Sequence, residues 1–445
     1  MLPLEDAIKR AMVQLAVAGL VLSALGFQFT KSSQSSSNTA VAPRILQAVD
    51  DNQRVVLKGN THPLARPQFD RGAAPSDLPL NRMLLVLKRR PEQDAGLRQL
   101  LDEQHDKSSS NYHKWLTPDE FGKQFGPADQ DIQVTTNWLR QHGFEIGKIA
   151  RGRTVIEFSG TAAQVQGAFG TSIHKYVVKG KEHWANANDP QIPAALAPVV
   201  AGVFTMHDFR KKPMLKLSAE RLNAKYVKGE PLTTFPANPP FHALAPTDFS
   251  VIYNTSIGGV NNGFGVIVAV VGRSNLFNAG QDVQDFGSLF GCCSSLNVML
   301  NGPDPGDLGG GEEAEATLDS TWAGAVAPGA AVNLVVSAST NTTDGVDLSE
   351  LYIIDNNFAD IMTESFGSCE AAFTTTEAAG FGALAEQAAA QGISYVVASG
   401  DSGAEGCDDP NSEIVATGPR SVNMLASTPF ASGTQDASRH SRYGS

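Results

Sequence analysis

Ile393-Ser394-Tyr395-Val396-Val397-Ala398 runs straight into Ser399-Gly400-Asp401-Ser402-Gly403. The first six residues are short, β-branched and mostly apolar, and they follow an alanine-rich stretch, 374–390, with a helical pattern. The same rhythm extends upstream. Apolar runs at 266–271, 296–300, 331–336 and 359–363 alternate with helical patterns at 280–290, 312–326 and 345–355. Strands that are apolar on both faces and alternate with helices predict a parallel sheet covered on both sides. In such sheets functional residues gather at the carboxyl edge. Gly400 and Gly403 let the chain turn sharply there, which puts Asp401 where a protonated carboxyl could donate to an oxyanion. An ordinary Gly-Asp-Ser turn is the alternative.

The helical stretch 312–326 contains Glu315-Ala316-Thr317-Leu318-Asp319. Positions i and i+4 lie one above the other on a helix face. Two carboxylates that close cannot both ionise cheaply, so the pair can hold and pass a proton. Taken alone, Glu312, Glu313 and Glu315 also suit a solvated helix start facing the positive dipole end. The histidines sharpen the choice: His62, His105, His113, His142, His174, His183, His207, His242 and His440 leave 243–439 without one. A serine hydrolase built on this part of the chain needs a carboxylate as its base. That argues against a subtilisin, which shares the architecture but uses histidine. Gly400-Asp401-Ser402-Gly403 also imitates the nucleophile segment of trypsin-like enzymes, but those are double β-barrels. Ser159-Gly160-Thr161, Gly170-Thr171-Ser172 and Ser432-Gly433-Thr434 read as turns and caps.

The 445 residues exceed one typical domain. Hydrophobic residues make up 42% and charged ones 18%, the balance of globular domains with cores. A net charge of −12 argues against a nucleic-acid partner. Lys9 and Arg10 precede an apolar run, 11–27, and a serine-rich stretch, so 1–42 reads as a signal peptide, with Ala40-Val41-Ala42 a possible cleavage site. A retained membrane anchor is the alternative. Residues 43–75 read as a linker. Residues 76–208 mix strands such as Met83-Leu84-Leu85-Val86-Leu87 with helical stretches, which suggests an α+β domain with an antiparallel sheet. Residues 209–245, rich in lysine and then proline, read as an exposed connector of the sort proteases cut. Residues 246–445 form the parallel α/β part. Cys292, Cys293, Cys369 and Cys407 show no paired zinc spacing, so no metal site is read from them. Disulfides are plausible in an exported protein.

These residues resemble a family. Asn111-Tyr112-His113-Lys114-Trp115-Leu116-Thr117-Pro118-Asp119-Glu120-Phe121, Trp138-Leu139, Gly143-Phe144, Ser159-Gly160-Thr161-Ala162-Ala163-Gln164-Val165 and Ala168-Phe169-Gly170 match, in order, the activation propeptide of kumamolisin-type peptidases. His183-Trp184-Ala185-Asn186 and Ile192-Pro193 continue the match. The later part resembles the sedolisin catalytic domain, a subtilisin-like fold, through the Glu-x-x-x-Asp helix, the small-residue stretch 323–330 and Ser399-Gly400-Asp401-Ser402-Gly403.

The resemblance implies an incomplete subtilisin-like parallel sheet with helices on both faces, preceded by an α+β antiparallel-sheet propeptide. It implies an exported serine-type endopeptidase precursor that acts on polypeptides in acid. Glu315 would be the base, Asp319 its partner and Asp401 the oxyanion stabiliser. Ser365-Phe366-Gly367 would pair with substrate backbone, though many relatives have Trp where Phe366 stands. Cys369 and Cys407 each follow one of these matched loops on the same sheet edge, so they are expected to pair. The family's Ser-Gly-Thr-Ser nucleophile motif does not occur in this sequence, and the ligands of its calcium site are expected beyond it. The propeptide is expected to act as intramolecular inhibitor and chaperone, and the protein to be a monomer. Loss of the serine leaves two other readings: a catalytically inactive truncated secreted protein, or a surface-anchored non-enzymatic one.

Overall fold

A computed structural model describes residues 41–215, 232–235, 241–255, 262–292, 296–408, 415 and 417–434. The candidate signal segment 1–40, most of the connector, Cys293 and the final segment 435–445 lie outside the described residues.

The earlier part of the chain builds an antiparallel sheet ordered Glu145–Ile149, Val155–Thr161, Pro79–Leu87 and Val200–Val203. A second antiparallel sheet joins Asp70–Ala73, Ile173–Val178 and Lys181–Asn186. Strand Pro79–Leu87 is buried on both faces. Leu80, Met83, Leu85 and Leu87 pack with Trp138, Leu139, Val165 and Phe169 of the helices Asp129–Gln141 and Ala162–Phe169. Leu84 and Val86, on the opposite face as strand alternation requires, join a different core shared with the later part of the chain.

Residues 43–75 depart from the linker reading. Ile45 and Leu57 are buried in the first core, and Arg54–Val56 pairs antiparallel with Gln191–Pro193. Strand pieces of three or four residues are too short to show a period. Ser159-Gly160-Thr161 also differs from a turn: it ends strand Val155–Thr161, and Thr161 caps the next helix.

The later part is a six-stranded, wholly parallel sheet ordered Leu296–Leu300, Ala331–Val336, Ile267–Gly272, Ile361–Glu364, Ser394–Ala398 and Ala431–Thr434. It is covered on both faces. Ala269, Val271 and Val335 face one core with Val346, Ile353, Phe381 and Ala385 of the helices Gly345–Asn356 and Thr375–Ala390. Val270, Leu334 and Val336 face the other with Ala316 of helix Gly310–Val326. Ser432-Gly433-Thr434 is part of the last strand, not a turn. Its small polar residues carry no apolar signal, and among the described residues the strand lies at the sheet edge.

The two parts meet through the antiparallel sheet. Leu84, Val86, Val155 and Phe204 pack against the helices Gly345–Asn356 and Thr375–Ala390, with the Phe204 and Phe381 rings edge-on at 4.7 Å. Among the described residues no helix is long and apolar enough to cross a membrane.

Candidate active site

Four strands end side by side at the carboxyl edge, and the chain leaving them supplies Arg273, Ser337, Ser365 and Asp401. Helix Gly310–Val326 passes this edge and presents Glu315 and Asp319 one turn apart. Glu315 is buried, and it accepts from the Leu215 backbone N–H at 2.8 Å. Asp319 Oδ1 accepts from the Ser365 hydroxyl at 2.9 Å, while its Oδ2 is enclosed with no hydrogen-bond partner among the described residues.

Burial pushes the Glu315 carboxyl up to about 8, and the charges of Asp319 and Asp401 push the same way. The Leu215 amide and the Ser365 hydroxyl oppose them. Burial likewise raises Asp319 to about 7, against the Ser365 hydroxyl. Asp401, half-buried on the turn after Ser394–Ala398, is therefore close enough for Glu315 to feel its charge. The structure thus gathers Glu315, Asp319, Ser365 and Asp401 at one edge.

Phe366-Gly367 lies beside them as a short strand. Phe366 is fully buried, and the Arg273 guanidinium sits over its ring at 5.1 Å. A Cβ on Gly367 would meet the Asn423 side chain at 2.2 Å. Asn423 Nδ2 donates to the Ala398 carbonyl at 2.8 Å, so this one side chain ties the two loops together. A disulfide joins Cys369 to Cys407 across the same loops.

The cleft is filled by the chain itself. Lys212–Pro213 pairs antiparallel with Phe366–Gly367, in the register Lys212 to Gly367 and Pro213 to Phe366. The next amide, Met214 N–H, donates to the Ser365 carbonyl at 2.8 Å, and the one after reaches Glu315. Gly400 has φ +94, and a Cβ there would come within 2.7 Å of Met214 Sδ. The exposed-connector reading therefore fails at its start: Lys211 is only 5% exposed. It is buried because acidic side chains more than a hundred residues away receive it, which no local pattern reveals.

Residues 69–209 match the family model of the pro-kumamolisin activation domain. Sedolisin of Pseudomonas sp. (strain 101) is 29% identical over 78% of this chain and 58% of its own length. Xanthomonalisin of Xanthomonas sp. (strain T-22) is 26% identical over 88% of this chain and 48% of its own. Kumamolisin of Bacillus sp. (strain MN-32) is 22% identical over 80% and 62%. The chain carries a pro-kumamolisin activation domain and is similar to sedolisin-type peptidase precursors. It spans about half the length of the curated relatives it matches. A solved structure of Pseudomonas sedolisin, a serine-carboxyl proteinase, is 26% identical over 42% of this chain and 52% of that one. Its TM-score of 0.36 adds nothing to the strand order given above.

The residues invisible to sequence reading are those that fix the cleft's occupant. Arg273 Nη1 donates to Asp344 at 2.8 Å, and its Nη2 donates to Glu312 and to the Lys211 carbonyl, the latter at 2.9 Å. Behind them Tyr395 Oη donates to the fully buried Glu364 at 2.7 Å. Among the described residues no group of three or more acidic, histidine or cysteine side chains is placed to hold a metal ion.

Proposed function

We propose that this chain is the precursor of an exported, monomeric serine-carboxyl endopeptidase that hydrolyses polypeptides in acid, its first domain acting as inhibitor and folding partner. One observation carries the reading. A peptide strand lies along Ser365-Phe366-Gly367 with the Leu215 N–H on Glu315 and Met214 against the Gly400–Asp401 turn. That is how a substrate is presented to a base and an oxyanion donor.

In this reading the strand 212–215 leaves the cleft, water reaches Glu315 and lowers the proton affinity that burial had raised, and Glu315 then takes the proton of the attacking serine hydroxyl and passes it to the departing amide nitrogen. Asp319 shares the proton of Glu315, and Ser365 holds Asp319 in place. Asp401 hydrogen-bonds the carbonyl oxygen as it gains charge, which it can do in its protonated form. A network that works by sharing protons operates below the pH at which all its carboxyls ionise. The serine is the one part for which the sequence shows no Ser-Gly-Thr-Ser motif, so the chain as given is expected to be inactive.

The test is hydrolysis of an acid-unfolded protein at low pH, by this chain and by the chain extended with the nucleophile-bearing segment of sedolisin. Cleavage by the extended form that disappears in Glu315→Gln is the expected result. Cleavage that persists in Glu315→Gln would overturn the assignment of the base.

A further inference from the structure

The strand in the cleft fixes a register. The amide that reaches Glu315 belongs to Leu215, so Met214–Leu215 is the peptide bond presented, and Lys211 is the fourth residue on its N-terminal side. Lys211 does not point to solvent. Its ammonium forms an ion pair with Asp347, and both side chains are less than a tenth exposed. It also lies 4.6 Å from the centre of the Phe381 ring. The Lys211 N–H donates to Asp344 at 3.0 Å, and its carbonyl accepts from Arg273 at 2.9 Å. Backbone and side chain are thus both received by the parallel-sheet part.

The acidic groups around this lysine leave one buried charge for it to balance. Arg273 already neutralises Asp344. Deeper in, Glu350 is fully buried with neither carboxylate oxygen partnered among the described residues, and it feels the Lys211 charge. No other described residue forms an ion pair with Asp347. Without a cation here, Asp347 is a buried carboxylate with no counter-charge, a costly arrangement.

We infer that Asp347, Asp344 and Phe381 form a subsite selective for a long basic side chain four residues before the bond to be cut. The chain's own Lys211 is its first occupant. Any peptide held in the register of 212–214 places its fourth residue in this pocket, so the same groups select among substrates. An uncharged side chain of equal length fills the space but strands the Asp347 charge. A site built around a buried charge rejects such an analogue more strongly than an apolar pocket rejects a missing methylene. The inference takes its register from the peptidase reading, but selective binding needs no hydrolysis, so the two can fail separately.

The experiment uses the full chain with residues 211–215 replaced by glycine and serine, which empties the cleft. Acetyl-Phe-Ala-Lys-Ala-Pro-Met-amide is titrated into it, against the same peptide with norleucine or arginine in place of lysine. The lysine peptide should bind at least about tenfold more tightly than the norleucine peptide, with arginine within about threefold of lysine. Asp347→Asn in the host should erase the difference. Equal binding of lysine and norleucine peptides, or no binding of any, overturns the subsite. Lysine-selective binding without peptide hydrolysis in the extended enzyme sinks the peptidase reading alone, and hydrolysis without lysine selectivity sinks the subsite alone.

Should the emptied host fail to fold, hydrogen exchange in the otherwise unaltered chain decides. The Lys212 and Met214 amides should exchange at least about tenfold faster in Lys211→Met and within about threefold of wild type in Lys211→Arg. Equal protection in Lys211→Met overturns the proposal.

Discussion

The contact between the first domain and the parallel-sheet part should weaken in acid, and His62 is where this is most measurable. His62 is 4% exposed. Its ring stacks on Phe209 at 4.2 Å and lies 4.5 Å from His207, and its Nδ1 accepts from the Leu64 N–H at 3.1 Å. Across the contact it meets the Ala372 backbone and Glu377, while His183 adds a like charge. His207 Nε2 sits 3.0 Å from Glu377 Oε1. Burial, then the charges of His207 and His183, lower His62 from 6.5 to about 3, against the pull of Glu377 and Ala372.

The folded state therefore keeps this histidine neutral where the unfolded chain protonates it. Its contribution to stability is complete above about pH 6.5 and is lost as pH falls toward 3. At pH 4 the loss is about 3 kcal/mol, since each tenfold difference in proton affinity between the two states is worth about 1.4 kcal/mol. The perturbation is His62→Asn, which keeps an acceptor for Leu64 and cannot charge. Urea unfolding at pH 7 and pH 4 should show wild type losing about 3 kcal/mol more than the variant over that interval. Parallel losses would refute the reasoning. Glu377, which burial would raise but the His207 charge lowers to about 2, adds a second acid-labile contribution, lost as pH falls from 4.5 toward that value.

Three further outcomes follow from single contacts. Phe204→Ala, which opens the core shared by the two parts, should cost ~3–5 kcal/mol in denaturant unfolding. Cys407→Ser, which opens a cross-link spanning 38 residues, should cost ~4 kcal/mol in the same assay relative to the oxidised wild type. Ser365→Ala removes the hydroxyl that holds both carboxyls down, so the Asp319 and Glu315 titrations should move upward when followed by carboxyl NMR.

What could be read from the sequence was what repeats locally. Alternating apolar strands and helices disclosed the doubly covered parallel sheet, because Val270 and Val271 face different cores and both must be apolar. The pair Glu315 and Asp319 could be placed because helix geometry fixes positions four apart. The exit of a buried strand located Asp401. Features that depend on distant partners were not visible. Residues 43–75 pair with strands more than a hundred residues away, so nothing nearby marks them as ordered. The edge strand Ala431–Thr434 carries no apolar signal. Lys211 looks like a surface lysine until Asp344 and Asp347 are brought around it. Asn423, which locks the two loops of the site together, sits in a segment without periodicity.

The proposed chemistry rests on a proton held between buried carboxyls where other serine peptidases use imidazole. A carbon-13 NMR titration of glutamate carboxyls, with Glu315 assigned by its loss in Glu315→Gln, measures this directly. Glu315 should still carry its proton at about pH 6 and titrate near 8. A Glu315 resonance that titrates near 4.5, the ordinary glutamate value, would contradict it.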